Sequence, residues 1–210
     1  MKSPYTFVFL RHGESFGNTE NYFQGRSDTL LTERGQAQVR SLVERWSAEI
    51  KSFDTIISSP LSRARITAEA IGTVLGVSVE IDPVWVERDT GKLTQVDRNH
   101  TDDLPFFHDF YTPFDQMGET GEGDWDLFVR ACSGIRSLVS RPPGSYLIVS
   151  HGGLLNQVIR AISGVMPQPN TIGVQFRFDN TGFTTVMYDP SSYRWTITGM
   201  NDTHHLDSLK

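Results

Sequence analysis

A chain of 210 residues with 38% hydrophobic residues is long enough to bury one sizeable core, and 21% charge marks a globular rather than a disordered or fibrous composition. Nineteen Lys and Arg against 25 Asp and Glu give a net charge of −6, which excludes a coat for nucleic acid or an anionic membrane, since both need a basic face. One cysteine, Cys132, excludes an internal disulfide and a multi-cysteine metal site; it reads as a buried helix residue.

The opening apolar run, Tyr5–Leu10, is too short for a signal peptide and predicts a buried strand. No apolar stretch of about 18 residues is present to span a bilayer, and no lipidation motif is seen, so a cytoplasmic location is expected. Thr32–Ile50 opens on Thr32-Glu33-Arg34-Gly35 and sets Val39, Leu42, Val43, Trp46 and Ile50 on one helical face. Thr55–Ile57 is a short strand, Leu61–Leu75 a helix following Pro60, and Val77–Ile81 a third strand. Residues 99–129 carry Phe106, Phe107, Phe110, Tyr111 and Phe114 and then Gly118, Gly121 and Gly123; they are too long for a connector and predict a lid or insertion. Trp125–Val139 is a helix, Tyr146–Val149 a fourth strand and Gly152–Ile162 a helix. Val174–Phe178 and Thr184–Tyr188 flank Asp179-Asn180-Thr181-Gly182-Phe183 as a hairpin, and Trp195–Thr198 adds an edge strand. Strands alternating with helices predict an α/β protein: a three-layer α/β/α sandwich with a mostly parallel sheet, an antiparallel edge and a lid insertion, folded as a single domain over residues 1–210.

In such a sheet ligands bind beyond the carboxyl ends of the strands, here just after Leu10, Ile57, Ile81 and Val149. Two of these ends carry the same signature, Phe9-Leu10-Arg11-His12-Gly13 and Val149-Ser150-His151-Gly152-Gly153. One such histidine alone reads as a hydrogen-bonded structural residue; two at ligand-binding strand ends point to a site. The third end adds Ser58-Ser59-Pro60-Leu61-Ser62-Arg63-Ala64-Arg65, and an arginine near a helix N-terminus is electrostatically misplaced unless an anion is bound. Arg63, Arg65 and Arg11 together predict an anion pocket. A fourth end supplies Glu87.

These blocks resemble the histidine phosphatase superfamily, in its phosphoglycerate-mutase-like branch. Arg11-His12-Gly13-Glu14-Ser15 with Asn18, Leu30-Leu31-Thr32-Glu33-Arg34-Gly35-Gln36-Ala37, Ser58–Ala68, the segment around Glu87, and Ser150-His151-Gly152 follow the family's order from about Thr6 to Tyr188. The resemblance implies that His12 is the nucleophile, that Arg11, Arg63 and His151 hold the phosphoryl oxygens, with His151 protonated, and that Glu87 donates the proton to the leaving group. It implies substrate contacts from Asn18, Ser15, Gln24, Gly25, Gly152 and Arg88, with Tyr22 and Phe23 at the pocket mouth. No metal and no organic cofactor are implied. The implied partner is a small-molecule phosphate monoester, with no nucleic acid and no membrane, for a monomer or homodimer.

Other readings compete. Gly13-Glu14-Ser15-Phe16-Gly17 fits the nucleophile elbow of a serine hydrolase, but that elbow needs a helix directly after the serine, where Gly17, Asn18 and a loop are expected. A metal on two histidines and a carboxylate is opposed by the flanking arginines. A binding module without activity on this fold would lack one of the pocket residues. Within the family, Glu87-Arg88 with Gly91-Lys92-Leu93 is similar to the mutase version of that block, and Arg98 stands near a substrate-gripping lysine of mutases. Thr90, however, replaces an aromatic of mutases, and Gln95 replaces a usual glycine. Residues 99–129 also hold eight acids and no Lys or Arg. Without that segment the chain has 19 bases against 17 acids. A mildly basic body under an acidic, aromatic lid predicts a phosphomonoesterase for a monophosphate with an uncharged or apolar remainder; the alternative is a cofactor-dependent phosphoglycerate mutase.

Overall fold

In the computed structural model, secondary structure is described for residues 4–100, 104 and 111–209. A six-stranded sheet runs in the order β3-β2-β4-β1-β5-β6 through β1 (Tyr5–Arg11), β2 (Thr55–Ser58), β3 (Val79–Ile81), β4 (Ser145–Ser150), β5 (Phe183–Asp189) and β6 (Arg194–Asp202). The first four strands are mutually parallel, whereas β5 and β6 are antiparallel to their neighbours. The helices are α1 (Phe16–Thr19), α2 (Glu33–Ala48), α3 (Ser62–Leu75), α4 (Asp124–Val139) and α5 (Gly152–Ile162).

Apolar side chains on both faces of the central strands require both faces to be covered. Phe7 and Phe9 of β1, with Tyr146 and Ile148 of β4, pack into a core with Leu127 and Ala131 of α4 and Leu154 and Val158 of α5. Val8, Leu10, Leu147 and Val149, from alternate positions of the same strands, pack with Leu42 and Trp46 of α2 and Ala64 and Ile71 of α3. Two cores on either side of one sheet make the three-layer α/β/α sandwich. Thr32 caps α2, its Oγ1 accepting from Gly35 N at 2.9 Å. No described helix is long and apolar enough to cross a membrane.

Three expectations are corrected. Val174–Phe178 forms no strand, and the hairpin is β5–β6. The carbonyls of Val174, Phe176 and Phe178 accept instead from the side chains of Arg160, Asn156 and Arg11, so side chains take the acceptors a ladder would use. Cys132 is exposed, because the buried stripe of α4 runs through Leu127, Ala131, Gly134 and Leu138 and passes beside it. A helical turn, α1, does follow Ser15.

Of the predicted lid, residues 101–103 and 105–110, with Phe106, Phe107 and Phe110, lie outside the described residues. The rest folds onto the body, and three of its acids are paired with cations there. Glu119 meets Lys92, Glu122 binds Arg26 and Arg130, and Asp124 meets Arg88. Those three carboxylates neutralise body cations, so they do not set up the field expected to repel charged substrates. Gln95, expected in place of a usual glycine, takes a left-handed conformation at φ 66°, and its N–H donates to Phe23 O.

Candidate active site

Parallel pairing brings the predicted strand ends together. Arg11 of β1 lies opposite Ser150 of β4, and Ser58 of β2 opposite Val149. The residues that follow, His12 and His151, are both buried with ring centroids 5.1 Å apart. His12 Nδ1 lies 2.7 Å from Gly13 O. A carbonyl only accepts, so Nδ1 carries the proton and Nε2 keeps the lone pair. His151 Nε2 meets Ser59 Oγ at 2.7 Å, and its Nδ1 has no partner.

Two guanidiniums flank the pair. Arg63, 1% exposed, donates to Ser27 O and Gly25 O, and Arg11 donates to Phe178 O. These bonds engage the Nη atoms; the Nε of both arginines is buried without a partner. With His151 Nδ1, the unmet groups form a seat for an anion. Burial holds the Arg11 guanidinium below its ordinary pKa and that of Arg63 down to about 10. Arg65, expected beside Arg63, pairs with Glu69 on the surface. Gly25 reaches Arg63 at φ 50°, a left-handed conformation suited to glycine, with the Thr90 side chain packed where a Cβ would stand.

Glu87 crosses to the N-terminus of α5. Its Oε1 accepts from Arg88 N at 2.8 Å and Leu154 N at 3.1 Å, and its Oε2 from Gly153 N at 3.1 Å. A Cβ on Gly153 would stand 2.5 Å from Oε1, so glycine there admits the carboxylate. Arg130 fixes the same loop, donating to the carbonyls of Val84, Val86 and Glu87 while paired with Glu122.

A cavity of about 580 Å³ opens over this floor. Arg11, Asn18, Gln24, Gly25, Glu87, Arg88 and Gly152 line it, as do Tyr22, Phe23 and Arg98; His12, Arg63 and His151 lie beneath. Ser15 does not line it. It is fully buried, and its hydroxyl bonds Asn18 Oδ1 and Gln24 Nε2. Arg88 reaches the cavity already paired with Asp124. Asn156, Gln157 and Arg160 of α5 also line it and were not anticipated; a polar stripe every three to four residues in an apolar helix was their signal. Among the described residues no group of three His, Cys, Asp or Glu could hold a metal ion.

The expected protonated His151 is corrected. Burial, with His12, Arg63 and Arg11 nearby, drives its pKa well below 6.5. Burial and the same two guanidiniums do so for His12. His205, bonded to Thr181 at 2.8 Å, is pushed down to about 4 by burial and Arg45. Folded pKa values below the unfolded one mean that unfolding takes up protons once the pH falls under 6.5. The urea midpoint is therefore expected to drop as pH is lowered from 7 to 5, the unfolding free energy falling by up to about 1.4 kcal/mol per pH unit for each histidine. A midpoint flat across that range contradicts buried neutral histidines.

The model of the Histidine phosphatase superfamily (branch 1) matches residues 7–203. "Probable phosphoglycerate mutase GpmB" of Cronobacter sakazakii is 31% identical over 210 residues, covering 95% of this chain and 94% of that one. Among solved structures, Bacillus stearothermophilus YhfR superposes with TM-score 0.82 at 24% identity, covering 96% of this chain and 99% of its own. Mycobacterial glucosyl-3-phosphoglycerate phosphatase, in complex with VO3, does so with TM-score 0.76 at 26% identity, covering 94% and 98%.

Proposed function

Because this chain belongs to the histidine phosphatase superfamily (branch 1), we propose that it hydrolyses small-molecule phosphate monoesters through a phosphohistidine at His12. The observation that carries this reading is the bond from His12 Nδ1 to Gly13 O, which keeps Nε2 as a lone pair in the field of Arg11 and Arg63, next to the cavity that Arg11 lines. Phosphoryl transfer passes through a loose transition state with charge spread over three oxygens, so positioning and field dominate. In this reading Arg11 and Arg63 hold that charge through their unpartnered Nε–H groups, and neutral His151 contributes a ring N–H.

His12 Nε2 attacks phosphorus and the ester P–O bond breaks. The departing alkoxide takes a proton from Glu87. Water then attacks the phosphohistidine, Glu87 takes the water proton, the P–N bond breaks and inorganic phosphate leaves. The hydrogen bonds to Glu87 from Gly153, Leu154 and Arg88 fix the carboxyl for both transfers. Asn18, Gln24, Gly25 and Gly152 frame the phosphoryl seat. We read residues 1–210 as one domain with 99–129 as an insertion, of which Met117 and Asp124 line the cavity.

Mutase activity is the second reading, favoured by the name of the Cronobacter relative. Side-by-side turnover of 2- and 3-phosphoglycerate and a panel of sugar, nucleotide and aryl monophosphates separates the two. Hydrolysis of at least one monophosphate is expected to exceed phosphoglycerate interconversion; the reverse order overturns the phosphatase reading.

A further inference from the structure

One face of α5 is polar in a helix otherwise built for the core. Leu154, Leu155, Val158 and Ile159 are fully buried, whereas Gly153, Asn156, Gln157 and Arg160, at i, i+3, i+4 and i+7, line the cavity. The near end of this stripe meets Glu87 at Gly153. The far end is Arg160, 1% exposed, whose Nε donates to Val174 O at 3.1 Å. Its Nη2 is buried without a partner, and so is Oε1 of Gln157, one turn away and 4% exposed. Among the described residues no carboxylate pairs with Arg160. A guanidinium N–H and an amide oxygen, both buried and unmet, are costly. A ligand offering an oxyanion to the first and an N–H or O–H to the second removes that cost.

We propose that Arg160 and Gln157 form a distal subsite for a second oxyanion, carried by the alcohol part of the phosphate ester about 10 Å from its phosphoryl group. Two walls of the cavity give the length. The seven residues from Gly153 to Arg160 rise about 10 Å along α5. Opposite, Arg11 binds Phe178 O, Asn156 binds Phe176 O and Arg160 binds Val174 O, and the four residues from Val174 to Phe178 reach at most about 14 Å. An ester of a three-carbon acid is too short to touch both ends. The other wall arginines have different partners, since Arg88 pairs with Asp124, while Arg98 donates to Tyr22 O and lies over Phe23. The subsite replaces the uncharged remainder expected from the acidic insertion with a substrate anionic at both ends.

This subsite rests on phosphoryl transfer at His12, and one experiment tests the two separately. ω-Phosphooxy alkanoates of increasing length, their methyl esters and α,ω-alkanediol bisphosphates offer carboxylate, neutral and phosphate distal ends. The ratio of kcat/KM for charged over neutral ends is expected to rise roughly tenfold as the spacer approaches 10 Å. The better of carboxylate and bisphosphate identifies the oxyanion. In Arg160→Gln the ratio is expected to fall to about 1, and in Arg160→Lys only part of the way. Calorimetric binding of the same series reads the same ratio without turnover. A ratio independent of length, or unchanged in Arg160→Gln, overturns the subsite, while His12-dependent hydrolysis of the methyl esters leaves the catalytic reading standing. No His12-dependent hydrolysis of any compound overturns that reading, and the calorimetric ratio then decides the subsite alone.

Discussion

His12→Ala is expected to lower turnover of every phosphate monoester by about 10⁴-fold or more, the scale of losing a nucleophile that acts as one unit with its binding groups. The anion seat survives the substitution, because Arg11 and Arg63 are anchored on backbone carbonyls of Phe178, Ser27 and Gly25 and not on the imidazole. Substrate should therefore still bind while the covalent step is gone. Wild-type protein denatured in alkali in the steady state should carry a phosphoryl group whose attachment is base-stable and acid-labile, as a phosphoramidate is, and His12→Ala should carry none. Substantial residual turnover, or labelling at another residue, would refute the mechanism.

Glu87→Gln is expected to cost about 10²–10⁴-fold on alkyl phosphates, the usual worth of general acid catalysis. With p-nitrophenyl phosphate the first step should be nearly unchanged, because nitrophenolate leaves without a proton. The second step still needs a base for water. That substrate should show a burst of one equivalent of nitrophenolate followed by slow release of phosphate. An equal loss on both leaving groups with no burst would instead assign Glu87 to binding alone. Glutamine keeps an oxygen for the N–H groups of Arg88 and Leu154 but turns an NH2 toward Gly153 N–H, so the unchanged first step with p-nitrophenyl phosphate is the control that the side chain has kept its place.

Much of this was legible in the sequence because it is local. Phe7-Val8-Phe9-Leu10 reads as a strand buried on both faces, and the alternation of Phe7 and Phe9 with Val8 and Leu10 between two cores is that pattern realised. Histidine-glycine after two such strands sets His12 and His151 side by side, since parallel pairing aligns strand ends. Other features depended on distant partners. Val174–Phe178 has strand-like residues, yet its carbonyls belong to Arg160, Asn156 and Arg11. Ser15 sits inside the signature block, yet it faces Asn18 and Gln24.

Most of the order of strands and helices, the family and the candidate histidines, arginines and glutamate are legible in the sequence alone, because hydrophobic period and motif spacing are properties of neighbours along the chain. The tertiary structure decided the charge. A net of −6 with eight acids in one segment suggested a negative lid, but Glu119, Glu122 and Asp124 meet Lys92, Arg26, Arg130 and Arg88 across the fold. Packing also lowers the His151 pKa, through desolvation with His12, Arg63 and Arg11 nearby. It turned Arg160 into the cavity wall with an unmet donor. Formal charge is additive along a sequence, whereas the field at a site depends on which charges are paired and which are buried, and that is set only when the chain closes on itself.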